Sequence, residues 1–176
     1  KHELPLLEKG YQIYDVNRSR KHTPCWIARC RSTKQVQFAI QWANEHQLNT
    51  KACGSGHSWS SVGDINNGLC IDTRDMQRVI SIENSTRVVS CQPGISIRNL
   101  VDALSNVSLC IPSLPVLLRQ TLGGAIATGS HGSSLVWGSL SDQVVGVTLV
   151  DLKGEIIVLR DDINDDDNKK KLNLLR

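Results

Sequence analysis

Between Gln35 and Leu48, Val36, Ala39, Ile40 and Ala43 recur on one stripe, with Gln47 as the polar end of the row. That spacing predicts an amphipathic helix, and Ser32 with Gln35 fits a capping box at its start. Lys51-Ala-Cys53 and Gly68-Leu-Cys-Ile-Asp72 are short apolar runs that read as strands. Arg78-Val-Ile-Ser-Ile82 and Arg87-Val-Val-Ser-Cys91 flank Asn84-Ser85 and predict a hairpin. After Pro93-Gly94, Ile97, Leu100, Val101 and Leu104 share one helical face. Val144 to Leu149 and Glu155 to Leu159 predict a second hairpin across Lys153-Gly154. Short hairpins, few helices and no alternating βαβα run predict an α+β fold.

Composition narrows this. With 176 residues, 40% of them hydrophobic, the chain can bury one proper core. Only 4% are aromatic, so that core rests on Val, Ile, Leu and Ala. The net charge of +3 is mild, and basic residues do not interleave with aromatics, so nucleic acid is not an expected partner. No apolar run approaches the ~20 residues of a membrane span, and Lys1 opens no signal-peptide pattern. Since the first residue is not Met, an upstream segment is expected. The expected location is intracellular, cytoplasmic or membrane-associated. Six dispersed cysteines (25, 30, 53, 70, 91 and 110) permit disulfides without demanding them, and no Cys-x-x-Cys occurs. Cys70 and Cys91 read as small buried hydrophobes, and a reducing compartment fits better than a secretory one. Asn17, Asn84 and Asn106 match the glycosylation pattern, which is common by chance. From Asp161 onward, five aspartates precede Lys169, Lys170 and Lys171, so residues 161–176 are expected as a charged linker or disordered tail.

Two loops carry the candidate chemistry: Gly54-Ser-Gly-His-Ser58 and Gln120-Thr-Leu-Gly-Gly-Ala-Ile-Ala-Thr-Gly-Ser-His-Gly-Ser-Ser134. Glycine lets the main chain approach a ligand, hydroxyls add donors, and successive amides can form an anion-binding concavity. The third glycine of the usual dinucleotide fingerprint is missing, since Trp59 stands in its place, and there is no Walker A pattern.

Cys53-Gly-Ser-Gly-His-Ser-Trp-Ser60, Val89-Ser-Cys-Gln-Pro-Gly94 and Gln120 to Ser134 resemble, in order, the motifs of the vanillyl-alcohol-oxidase type of FAD-binding domain. Within it the chain looks most like the sugar-lactone and alditol oxidases, such as the gulonolactone, arabinonolactone and xylitol oxidases. The resemblance runs from about Pro24 to Leu159. It implies a PCMH-type fold of two small α/β subdomains with short parallel and antiparallel strands. Residues 1–23 are then an N-terminal extension, and 24–160 an FAD-binding domain that is incomplete at its C-terminal end. The chain reads as a piece of a longer enzyme whose cap or substrate domain is absent.

The resemblance further implies FAD bonded covalently through His57. Gly54, Ser55, Gly56, His57 and Ser58 are expected to wrap the diphosphate with their amides. Gly123, Gly124, Thr128, Gly129 and Ser130 are expected to do likewise along the cofactor, with Ile126 also cofactor-binding and Ser133 and Ser134 near its end. Thr121 falls where alditol oxidases place a serine near flavin and substrate, and reads equally as a helix N-cap. His131 is expected to brace its loop. The implied reaction oxidises CH–OH in a sugar lactone or polyol by hydride transfer to flavin, with oxygen then giving hydrogen peroxide. The alternative is a flavin-binding fragment without turnover. A hydrolase using Ser133 or Ser134, His131 and Asp142 lacks the Gly-x-Ser-x-Gly elbow, and His57, His131 and the cysteines lack metal-ligand spacing.

Overall fold

A computed structural model describes residues 4–15, 18 and 21–175. The first half comprises Leu6–Lys9 (β1), Ile13–Tyr14 (β2), Lys21–His22 (β3), Trp26–Arg29 (β4), Thr33–Glu45 (α1), Thr50–Cys53 (β5) and Leu69–Asp72 (β6). The Ser32 hydroxyl caps α1 by accepting from the Gln35 amide. The helix stops short of the expected end because Gln47 adopts a left-handed φ of 54° and the Leu48 amide turns back to Ala43. The sheet runs β1-β4-β6-β5, with β4, β6 and β5 parallel and β1 antiparallel at the edge. On one face, Ala39, Ile40 and Ala43 of α1 pack against Ala28, Cys30, Leu69 and Ile71. On the other, Ile27 and Cys70 meet Ile65.

The mixture of parallel and antiparallel strands is the expected one, with β4–α1–β5 a parallel crossover. Two features of this half differ from expectation. Leu6–Lys9, expected to lie outside the domain, pairs along the whole of β4. Cys70, expected as a small buried hydrophobe, is buried but forms a disulfide with Cys53. The bonded cysteines stand on neighbouring parallel strands, a proximity that dispersed spacing does not reveal.

The second half comprises Val79–Glu83 (β7), Val88–Cys91 (β8), Ile97–Ser105 (α2), Leu122–Ala127 (α3), Gly146–Val150 (β9), Ile156–Arg160 (β10) and Asp166–Asn173 (α4). Both expected hairpins form, β7 with β8 and β9 with β10. The Ser96 hydroxyl caps α2, whose Leu100 and Leu104 pack with Ile95 under the first hairpin. Ile97 instead joins Ala125 and Leu140, fixing α2 against α3. The stretch expected as linker or disorder instead forms α4. Its N-cap Asp165 accepts two amides, acidic residues fill its first turn and Lys170 and Lys171 its last, as the helix dipole favours. Leu172 is fully buried, and Asn168 bonds both main-chain groups of Arg160. Among the described residues no helix is long and apolar enough to cross a membrane.

Candidate functional site

The first loop leaves β5 at Cys53, whose carbonyl is held by the amide and hydroxyl of Thr73. It turns at Gly56, where φ is +73°, a conformation that costs glycine little. Ser58 bonds ahead to Ser60, and the Ser61–Gly63 3₁₀ turn follows. Among the described residues, no protein acceptor takes the N–H groups of Gly54, Ser55, Gly56, His57 or Ser58. Five consecutive amides are thus without a protein acceptor.

The second loop lies against the first. The Thr121 amide donates to the Ser55 hydroxyl oxygen at 3.0 Å. Gly54 sits so close to Thr121 that a methyl group there would overlap Thr121 Oγ1. On its other side Thr121 packs near Gly124. It precedes α3 as the N-cap residue, yet its side chain makes no capping bond. The position is a helix boundary, while the hydroxyl is packed between two glycines.

The expectation that this loop also offers its amides fails at four positions. Gly123 donates to Pro93 O, Thr128 to Gly124 O, Gly129 to Ile126 O and Ser130 to Ala125 O. Those donors are satisfied by the protein because α3 is pinned to the 93–95 segment and closes on itself. Thr128, Gly129 and Ser130 border an open depression of about 420 Å³, shared with Gln120, His131 and the Pro115–Leu117 segment, and no residue of the first loop lines it. His131 Nδ1 lies 2.9 Å from Gly132 O, which braces the loop. Ile126 is half-buried, and its carbonyl accepts from Ser141. Ser133 and Ser134 are exposed and outside the depression, and Ser134 Oγ is taken up by the amides of Val136 and Trp137.

Three buried polar atoms in this region have no partner: His57 Nδ1, Gln120 Oε1 and Ser113 Oγ. Buried polar atoms are rarely left unpaired. Ser113 lies beside Gly132 of the second loop. Sequence reading missed it, and treated Gln120 only as the loop's first residue. The signal available was Pro112-Ser-Leu-Pro115, a rigid approach to the glycine run.

Behind the first loop, an ion cluster holds the end of β6. Asp72 is buried, bonds Arg74 through both carboxylate oxygens and lies 3.7 Å from Arg29. Burial pushes its carboxyl up, but the Arg74 hydrogen bonds and the two guanidinium charges outweigh this and hold it below the usual range. The Cys30 thiol is pushed up to about 12 by burial and by Asp72.

Residues 24–160 match the family model described as FAD binding domain. The chain belongs to this family. It is 26% identical over 158 residues to L-gulonolactone oxidase of Mus musculus, covering 90% of this chain and 36% of the relative. It is 29% identical over 136 residues to L-gulono-1,4-lactone dehydrogenase of Mycobacterium tuberculosis, covering 77% and 32%. The solved carbohydrate oxidase of Microdochium nivale, in complex with a substrate analogue, superposes with a TM-score of 0.74. It shares 30% identity and covers 80% of this chain and 30% of that one. The chain thus spans about a third of the length of these relatives. FAD is the cofactor the family binds, and the free amides of 54–58 with three unpaired buried atoms fit a large polar ligand.

Proposed function

We propose that this chain holds FAD for the oxidation of a CH–OH group in a sugar lactone or alditol, with His57 bonded to the flavin's 8α-methyl carbon. The observation that carries the reading is the junction of the two loops. It ties the first loop, with its five free amides and the unpartnered His57 Nδ1, to Thr121 at the head of the second.

When bound, FAD supplies a ring that accepts a hydride from the alcohol carbon. The protein's share is to bind and aim. The amides of Gly54, Ser55, Gly56, His57 and Ser58 would hold the diphosphate. Gly123, Gly124, Ile126, Thr128, Gly129 and Ser130 would lie along the cofactor, with Ser133 and Ser134 near its end. Thr121 would stand near flavin and substrate, with its hydroxyl held between Gly54 and Gly124. His57 in its neutral form offers a ring-nitrogen lone pair for the tether. His57 would hold the ring through that nitrogen at the loss of one methyl hydrogen and the imidazole proton, with dioxygen as the two-electron acceptor.

A second reading is a flavin-binding module without turnover of its own. It is favoured by the Thr121 hydroxyl, which is packed between Gly54 and Gly124, since substrate must be held close to the flavin for reaction. The test is acid precipitation of purified protein. The expected pellet is yellow, and His57→Ala releases the colour to the supernatant. Free flavin from the unsubstituted protein would defeat the tether. Adding xylitol, gulonolactone or arabinonolactone should bleach the flavin and yield peroxide; bound flavin that no such substrate bleaches supports the module. One relative is named a dehydrogenase, so bleaching without peroxide points to an acceptor other than oxygen.

A further inference from the structure

We infer that Gln120 is a ligand contact whose side-chain oxygen accepts a hydrogen bond from an O–H or N–H group of the bound dinucleotide. The inference rests on the flavin-binding reading above. Gln120 stands on a fixed main chain. Its carbonyl accepts from the Ile97 amide at 3.0 Å, the next amide is bound by Ser55, and Leu118 O accepts from Arg98 at 2.8 Å. The residue borders the same depression as Thr128 to Ser130. Its Oε1 is buried, yet no donor reaches it. Beneath Gly132 the hydroxyl of Ser113, 5% exposed, is likewise without a partner. With the carboxamide placed so that its oxygen, an acceptor, lies at the gap, an ionised diphosphate offers no donor, and the partner proposed is a hydroxyl or N–H of the sugar or ring portions of the ligand. FAD carries such donors on both halves: ribityl hydroxyls and a ring N–H on one, ribose hydroxyls and an amino group on the other.

The test uses the full chain carrying His57→Ala, so that binding is reversible, with and without Gln120→Leu. FAD, FMN and ADP are titrated separately by calorimetry, and the Tm of each ligand-free protein is measured. Leucine removes an unpaired buried acceptor, so the ligand-free Tm should hold or rise. FAD should bind at least tenfold more weakly. FMN should share that loss if the donor is on the flavin half, and ADP if it is on the adenine half. Unchanged FAD affinity overturns the inference. Equal losses for FMN and ADP, or a lower ligand-free Tm, also overturn it, because they mark a structural role. If the unsubstituted protein neither carries nor takes up FAD, the flavin-binding reading itself fails before Gln120 is touched, and this inference falls with it.

Discussion

The hydroxyl oxygen of Ser55 accepts the main-chain N–H of Thr121 at 3.0 Å, tying together loops 66 residues apart in the chain. One such bond contributes about 1 kcal/mol net, little beside the stability of a whole domain but enough to set how two loops face each other. Ser55→Ala should therefore leave the fold intact and weaken FAD binding about fivefold in a His57→Ala background. Ser55→Thr keeps the hydroxyl and should restore most of that loss. Flavin fluorescence titration measures both, and an unaffected Ser55→Ala affinity means that the bond does not hold the site's shape.

Gly54 touches the same threonine. Gly54→Ala forces a methyl group into Thr121 Oγ1, and overpacking of this kind costs about 1–3 kcal/mol. The single variant should lose flavin and melt lower. Thr121→Ala removes the overlapping oxygen, leaving Thr121 Cβ 3.3 Å from the added methyl. The double variant should then recover much of the loss, with a coupling of about 1 kcal/mol or more between the two sites. Additive losses in the melting and binding data would show that the contact is not what requires glycine.

The local parts of this architecture were legible in the sequence. Both hairpins carry their turn residues between strand-like runs, and Ser32 and Ser96 cap the helices whose apolar faces the spacing marked. The parallel pairing of β4 with β6 was not legible, because four residues, Trp26–Arg29, carry no period of their own and find their partner 43 positions away. The site divides in the same way. Glycine at 54 and 56 announces close approach and a turn within its own segment. The spent amides of the second loop depend on carbonyls such as Pro93 O, a remote acceptor that no reading of residues 120–134 contains. In α4, charge density masked a helix whose single buried leucine anchors it.

Asp72 sets an acid limit on stability. Its carboxyl is held below the ordinary range despite burial, chiefly through Arg74. The stabilisation is therefore fully present above its unfolded value of about 3.9 and is lost as pH falls through the lower folded value. Asp72→Asn should cost about 2 kcal/mol near neutral pH, leaving two arginines without their buried partner. It should also flatten the acid side of the stability curve. Urea midpoints between about pH 6 and 3 check this. Parallel curves for the two proteins would remove Asp72 from the account.

Leu172 makes the last segment part of the domain. It is fully buried on α4, while Asn168 on the same helix bonds the N–H and carbonyl of Arg160 at the end of β10. Leu172→Ala should cost about 2–4 kcal/mol, combining the lost apolar transfer with the cavity left behind. Asn168→Ala should add a smaller loss, near 1 kcal/mol for each bond removed. Both substitutions should raise amide exchange along β9 and β10, the hairpin that α4 packs on, more than in the β4–β6 sheet. Because the first glycine loop departs from that sheet at β5, the affinity for FAD should change little at temperatures where the variants remain folded. Exchange rates and flavin titrations on the same samples separate the two effects. A Leu172→Ala protein as stable as its parent would mean that α4 rests on the hairpin without holding it.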